Sequence, residues 1–328
     1  MIADPTLTLA WLVLAHLVAD FLLQTESLVA DKFAGRWRAL LIHGAAVALC
    51  LLPVAAAFEL RGAALLATVA VGHVFIDRWK VRATRHAEAE ALAAAHRRHD
   101  PTVATTGLGP AWTPVPGALF ILDQLAHLAL TLAAWAVLVA NIAPGTAFVA
   151  AVDRVLGSLD RAVVHDAALI GVVLVALTIV NVRAGALFVA TLVRPRQTIS
   201  GADDAGELVP AAGAAPRSWR IRVGGIVGTA EPLPIDAAPG AAASRPDWTS
   251  PARIGATIGV LERLLIVIFV LSGSTAAIGF VVAAKTLARF RQLDDRDFAE
   301  YYLLGTLASV AVALVSGLVA LAALSTLR

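Results

Sequence analysis

Histidine and aspartate recur one helical turn apart in the N-terminal half of this sequence. Three pairs have the i, i+4 spacing, and they are His16 with Asp20, His73 with Asp77, and Asp123 with His127. Residues at that spacing stack on one face of a helix. Each pair lies in or at the edge of a long apolar run, and His43 opens a further run. Ionisable side chains at membrane depth are costly, and they therefore indicate a functional site.

The residue types in this set predict a metal-binding site. Imidazole and carboxylate groups are ligands of divalent metals that prefer nitrogen and oxygen, such as Zn²⁺, Mn²⁺ or Fe²⁺. We expect four histidines to be the metal ligands: His16, His43, His73 and His127. Three aspartates are expected to have catalytic roles, as ligands, as orienters of histidine or as a general base: Asp20, Asp77 and Asp123. Further polar neighbours are expected to bind substrate or to orient the ligands: Gln24, Lys80 and Gln124.

Two other uses of the same residues stay open. The pairs could be interhelical hydrogen bonds that hold a bundle together, although such bonds contribute only about 0.6 kcal/mol on average in membrane proteins. The same carboxylates and imidazoles could instead form a pathway for protons or ions. A metal site would differ from both because it can supply a hydroxide nucleophile at neutral pH.

The bulk composition places these residues in a membrane protein. Of the 328 residues, 59% are hydrophobic and 15% are charged, so the chain is more apolar than an average soluble domain. The formal net charge of +2 gives no electrostatic reason for nucleic-acid binding. Cys50 is the single cysteine of the sequence, which excludes a disulfide framework and a cluster of thiolate ligands.

The apolar runs predict an all-α fold, a polytopic transmembrane helical bundle of about seven spans. The expected spans are residues 7–23, 39–58, 63–80, 117–140, 167–193, 254–284 and 302–324. They divide the chain into a four-span bundle with the His/Asp site (1–141), an amphipathic connection and fifth span (142–193), a flexible Pro/Gly/Ala-rich linker (194–252) and a C-terminal two-span segment (253–328).

Alternation of the spans is expected to bring the site residues to one depth. Spans one and three carry their His and Asp residues in the last half, whereas spans two and four carry theirs in the first half. Because successive spans run in opposite directions, these side chains should share one half of the bilayer. The lysines and arginines of residues 25–38 and 78–100 place that half on the cytoplasmic side.

A second charged set occurs in the C-terminal region. We expect its members to form a structural charge network between the last two spans, and they are Glu262, Arg263, Lys285, Arg289 and Glu300.

Two groups of motifs resemble an uncharacterised bacterial family of polytopic inner-membrane proteins, a domain of unknown function. The N-terminal group is His16-Leu-Val-Ala-Asp20-Phe-Leu-Leu-Gln24, His43, His73-Val-Phe-Ile-Asp77-Arg-Trp-Lys80 and Leu122-Asp123-Gln124-Leu-Ala-His127. The C-terminal group is Ile258-Gly-Val-Leu-Glu262-Arg263, Ala284-Lys285, Arg289-Phe290 and Glu300-Tyr-Tyr-Leu-Leu-Gly305-Thr306. The resemblance implies a fold and a site for spans one to four and six to seven. The N-terminal pattern is also similar, more loosely, to membrane-bound metal-dependent hydrolases, which implies hydrolase chemistry.

Together these features predict a multi-pass protein of the bacterial inner (plasma) membrane. The favoured function is an intramembrane metal-dependent hydrolase that acts, within the lipid bilayer, on a lipid-linked or other amphipathic substrate. The first alternative is a proton-coupled transporter or channel that uses the same buried residues. The second is a membrane scaffold that recruits a soluble partner through the expected cytoplasmic loops 81–116 and 194–252. The sequence contains no ATP-binding P-loop and no serine nucleophile elbow, which disfavours those enzyme classes.

Overall fold

The described chain is almost entirely helical. A computed structural model describes residues 5–97, 113–193, 221–223, 226–228 and 251–327. Within these residues, two short strands, β1 (Ile221–Val223) and β2 (Ile226–Gly228), pair in antiparallel fashion. Apart from this hairpin, the predicted all-α class is confirmed for the described residues. Most of the predicted linker 194–252 lies outside them.

The helices follow one another through the described ranges. In order they are α1 (Pro5–Phe21), α2 (Glu26–Phe33), α3 (Trp37–Arg97), α4 (Val115–Leu138), α5 (Thr146–Leu156), α6 (Arg161–Ile179), α7 (Gly185–Val193), α8 (Pro251–Leu271), α9 (Ala276–Ala288) and α10 (Arg296–Leu324). A π-helical turn (Val180–Ala184) joins α6 to α7, and a 3₁₀ turn (Phe290–Gln292) follows α9.

Four helical segments of the described chain are long and apolar enough to cross a membrane. They are Trp37–Ala91, Val115–Leu138, Arg161–Val193 and Phe298–Leu324. The number rises to five if α1 and α2, which meet at an angle of 81°, form one broken span. The predicted number of seven is therefore not confirmed. One reason is that the predicted sixth span, 254–284, is divided between α8 and α9 by a turn in which Gly273 has a φ of +72°.

The first candidate segment is a hairpin of two antiparallel helical arms. The helical backbone of α3 breaks at Phe58 and Glu59, where Glu59 has a φ of +51°, and the chain then reverses. Gly62 lets the arms meet closely, because a Cβ atom there would lie 2.5 Å from the carbonyl oxygen of Val54. The break separates residues 37–57 from residues 60–97 and agrees with the predicted short connection between spans two and three. The second arm continues well beyond Lys80, because Ala, Glu and Arg are strong helix formers.

Two apolar clusters hold these helices together. The first packs α1 against both arms of α3 and against α4, around the fully buried side chains of Leu12, Leu51 and Leu65. The second packs α6, α8 and α10 together, around Leu169 and Ile266. Because α1 contacts α6 as well as α3, it joins the two clusters and fixes the helix that carries the first His/Asp pair.

Candidate metal-binding site

All seven predicted histidine and aspartate residues lie together at one end of the first cluster. The α1 helix supplies one pair, the arms of α3 supply three residues, and α4 supplies the last pair. Five of the side chains are buried: His43, His73, Asp77, Asp123 and His127. His16 and Asp20 are nearly so, with side-chain exposures of 13% and 8%. The convergence that was predicted from alternating helix directions is therefore present in the structure.

Ligand atoms from three helical segments meet at the centre of the site. The Nε2 atoms of His43 and His73 are 2.8 Å apart. Oδ1 of Asp20 lies 3.2 Å from Nε2 of His43 and 3.1 Å from Nε2 of His73. Oδ2 of Asp77 approaches the same His43 nitrogen to 3.6 Å. Four potential ligand atoms thus surround one small volume.

These spacings fit the edges of a coordination polyhedron. In a tetrahedral site with Zn–N bonds of about 2.0–2.1 Å, neighbouring ligand atoms lie about 3.3 Å apart. A hydrogen bond between the two imidazoles would account for the distance between their nitrogens, but not for the approach of two carboxylate oxygens to the same nitrogens. The donor set therefore fits a divalent cation with nitrogen and oxygen ligands.

The α4 pair lies against this centre from the other side. The ring of His127 is 3.9 Å from that of His73 and 5.1 Å from that of His16, measured between centroids. Nδ1 of His127 lies 3.6 Å from Oδ1 of Asp123. Ligand atoms of Asp20, Asp123 and His127 lie within 4.8 Å of one another.

The predicted polar neighbours surround the α4 side of the site. Lys80 donates to Oδ2 of Asp123 over 2.7 Å, and the Gln124 amide donates to the same oxygen over 3.0 Å. Oε1 of Gln124 lies 3.2 Å from Nε2 of His16, so this amide connects α4 with α1. These contacts fix Asp123 and His16 relative to each other, while the expected roles of Lys80 and Gln124 in orienting metal ligands or binding substrate stay predictions.

Lys32 is a site residue that the sequence analysis did not identify. Its ammonium group donates to Oδ2 of Asp77 and, over 2.8 Å, to Oε1 of Gln24. The side chain is only 5% exposed, so the ion pair with Asp77 is buried. The bend after α1 brings Lys32 to the site, because α2 begins after the N-cap residue Thr25 and packs against α3. A lysine in a polar loop gives no periodic signal of such a position.

The C-terminal charges are only partly brought together. Lys285 donates to Glu262, which joins α9 to α8. Arg289 instead bonds Gln292 and Glu300 pairs with Arg296, so these two interactions are local. Within the described residues, neither side chain is shown to join the expected network, because each has a surface partner three or four residues away in the sequence. The fifth member of the expected set makes different contacts.

Arg263 packs against the π-helical turn rather than against a carboxylate. Its Nε atom donates to the backbone carbonyl of Asn181 over 2.6 Å, and Nη1 donates to Ser309 over 3.0 Å. The side chain is 3% exposed. A π turn displaces a carbonyl from the regular helical pattern, and here the guanidinium satisfies it. This contact lies in the second cluster and belongs to the packing of α8 and α10.

Comparisons with known proteins bear on the site through one family model, which matches less than half of the chain. None of the curated proteins and none of the solved structures matches the chain. The C-terminal motifs at 258–306 lie outside the range of the family match. Over residues 8–155, which contain every histidine and aspartate of the site, the chain matches the family described as a protein of unknown function (DUF3307).

Proposed function

We propose that this protein is a metal-dependent hydrolase of the bacterial inner membrane, with a lipid-linked or other amphipathic substrate. The observation that carries the proposal is the buried contact of His43, His73 and Asp20, whose ligand atoms lie 2.8–3.2 Å from one another. Structural hydrogen bonds alone would not favour two imidazole nitrogens and a carboxylate at one point. A divalent cation at that point would supply a hydroxide nucleophile for hydrolysis at neutral pH.

The protein side chains would divide the remaining tasks. His43, His73 and Asp20 would hold the cation, and Lys32 would orient Asp77 beside it. A carboxylate of the site would accept the proton of the attacking water, and that proton would leave with the departing group. Lys80 would offer a positive charge to an anionic part of the substrate, since its side chain is 28% exposed and reaches the rim of the site.

The surroundings of the site support a substrate with an apolar part. Large apolar side chains next to the site residues face outward, namely Leu22, Leu23, Phe75 and Leu122. In a bilayer these side chains would contact lipid. A lipid-linked molecule could therefore keep its acyl chain in the membrane while its polar group reaches the His/Asp site. The seven-span arrangement and the inner-membrane location are parts of the same proposal.

Metal content and hydrolysis test this function together. Wild-type protein, His73→Ala and the exposed-histidine control His86→Ala would be purified in detergent and analysed for Zn, Mn and Fe. We expect at least about one metal atom per chain in the wild type and the control, and little in His73→Ala. Dodecyl phosphate and p-nitrophenyl dodecanoate would be the hydrolysis probes, with chelator-treated enzyme as the blank.

The outcomes separate the hydrolase from its alternatives. Metal far below one atom per chain, with no effect of a chelator on thermal melting, would refute the metal site. A metal without hydrolysis of either probe would refute the hydrolase and leave the metal site. Proton flux through protein in liposomes would then favour the transporter. The scaffold would be favoured if neither metal nor flux is found.

A further inference from the structure

Atoms of His127 and Asp123 lack hydrogen-bond partners although both side chains are buried. His127 is 1% exposed and Asp123 is 0% exposed. Both ring nitrogens of His127 and Oδ1 of Asp123 have no such partner within the described residues. A neutral imidazole has one N–H and one lone pair, so burying both nitrogens unpaired is unfavourable. The lone pairs of these two side chains point to a bound cation.

This position differs from the cation position described above. Ligand atoms of His43, His73 and Asp77 lie within 4.8 Å of one another, and so do those of Asp20, Asp123 and His127. These two triads share no residue, although a third group, His16, Asp20 and His73, overlaps both of them. Asp20 nevertheless belongs to both positions, because its Oδ1 also contacts the Nε2 atoms of His43 and His73 at 3.1–3.2 Å. A carboxylate has two oxygens and can bridge two cations.

The two lysines are arranged in a way that suits two cations. Lys80 binds Oδ2 of Asp123 and leaves Oδ1 free for a ligand, while Lys32 binds Asp77 on the opposite side. Asp77 and Asp123 therefore each have one lysine partner, and Asp20 lies between these two aspartates. With neutral histidines, three carboxylates and two ammonium groups leave the site with an excess negative charge. Two divalent cations would reverse that sign, and the centre would then attract an anion.

We infer that the site holds two divalent cations bridged by Asp20, and that its substrate is a phosphate ester with a lipid part. The inference rests on the proposed function and deepens it. Paired cations about 3.5–4 Å apart stabilise both the attacking and the leaving oxygen of a phosphoryl group. In the hydrolysis, the oxygen of water bonds to phosphorus, the ester P–O bond breaks, and the proton of water leaves on the alcohol.

Manganese loading of the full chain tests the second cation. Chelator-treated wild type, His43→Ala, His127→Ala and the control His86→Ala would be reloaded with MnCl₂ in detergent. Bound manganese would be measured by elemental analysis and by electron paramagnetic resonance. We expect about two Mn²⁺ per chain with a spin-coupled signal in wild type and control. Each of the other variants should bind about one Mn²⁺ and give the six-line signal of an isolated ion.

Each other outcome has a defined consequence. One Mn²⁺ per chain in the wild type would overturn the second cation but leave a mononuclear hydrolase intact. Two uncoupled ions would overturn the Asp20 bridge, and two ions in His127→Ala would overturn the ligand assignment. Absence of manganese from the wild type would overturn this inference, while the analysis for Zn, Mn and Fe described above decides separately whether the proposed function stands. The wild-type measurement decides the matter even if a variant fails to fold.

Hydrolysis of two probes tests the substrate class. We expect release of phosphate from dodecyl phosphate and no cleavage of p-nitrophenyl dodecanoate. The reverse result would overturn the assignment of a phosphate ester as substrate.

Discussion

At the residue scale, Lys32 forms a buried ion pair with a carboxylate of the site. Its ammonium group is buried against Asp77 and holds Gln24 at the same time. Removing one partner of a buried ion pair leaves the other charge unpaired, which costs far more than breaking a pair in water. A cation bound at the His43 and His73 nitrogens would supply a second positive charge near the same carboxylate. Lys32 therefore has a structural role that metal binding can partly replace.

We expect Lys32→Met to lower the free energy of unfolding by about 3–5 kcal/mol in the metal-free protein. The loss should be smaller when metal is bound, because the cation would compensate Asp77. Arg36→Met is the matched control, since its ion pair with Asp31 is on the surface, with side-chain exposures of 67% and 46%. Such a pair contributes about 0–1 kcal/mol. The measurement is denaturant unfolding in detergent micelles, with and without a chelator, and equal losses for both variants would contradict the role of Lys32.

At the level of elements, the reversal within α3 is what sets His43 opposite His73. The two arms are antiparallel, so residues equally distant from the break at Phe58 and Glu59 face each other. A Cβ atom on Gly62 would also lie 2.8 Å from the Cα atom of Ala55, and backbone atoms cannot move away as a side chain can. The close approach of the arms therefore depends on this glycine.

Gly62→Ala should consequently destabilise the protein by about 1–3 kcal/mol, the usual cost of overpacking. Gly171→Ala is the control, because a Cβ atom at that position in α6 would meet nothing within 4 Å. There the added methyl group should be neutral or stabilise the helix by up to about 1 kcal/mol. Thermal melting in detergent distinguishes the two variants. A Gly62→Ala protein as stable as the wild type would show that the arms can separate without cost.

The π-helical turn gives a second test at this scale. Arg263→Met removes the donors to the Asn181 carbonyl and to Ser309, and both acceptors are buried. Leaving buried acceptors unsatisfied costs about 1–3 kcal/mol each. Arg289→Met should change stability by less than about 0.5 kcal/mol, because the hydrogen bond of Arg289 to Gln292 is at the surface. Similar effects of the two substitutions on unfolding would mean that the turn does not depend on the guanidinium.

The two His/Asp pairs of α1 and α4 show what sequence periodicity can predict. Spacing of four residues defines a helix face, and alternation of direction defines a depth, so both follow from local geometry. The position of Lys32 could not be obtained in this way, because it depends on the 81° bend between α1 and α2. The local pairing of Glu300 was missed for a related reason. A sequence shows that a charge needs a partner, but not which of several helices brings one nearest.

At the scale of the whole molecule, the fold brings two basic stretches of the sequence to the same end of the helices that carry the His/Asp site. A Cβ atom built on Gly35 would lie 3.7 Å from Nη1 of Arg85. Gly35 and the far part of the second α3 arm therefore lie together, towards the His/Asp end. The break at Phe58 and Glu59 lies at the opposite end of both arms. The lysine- and arginine-rich residues 25–38 and 78–97 are thus on the same side. That side should be cytoplasmic.

The hairpin form of α3 therefore predicts two membrane crossings by the single segment Trp37–Ala91. In a Cys50→Ala background, which has no other cysteine, one cysteine would be introduced at Arg36, Leu60 or His86. All three side chains are strongly exposed, at 67%, 84% and 77%. A membrane-impermeant maleimide should label Leu60→Cys in intact spheroplasts, and Arg36→Cys and His86→Cys in inverted vesicles. Labelling of all three from one side would show that α3 does not cross twice. It would also remove the basis for placing the His/Asp site in the cytoplasmic half of the bilayer.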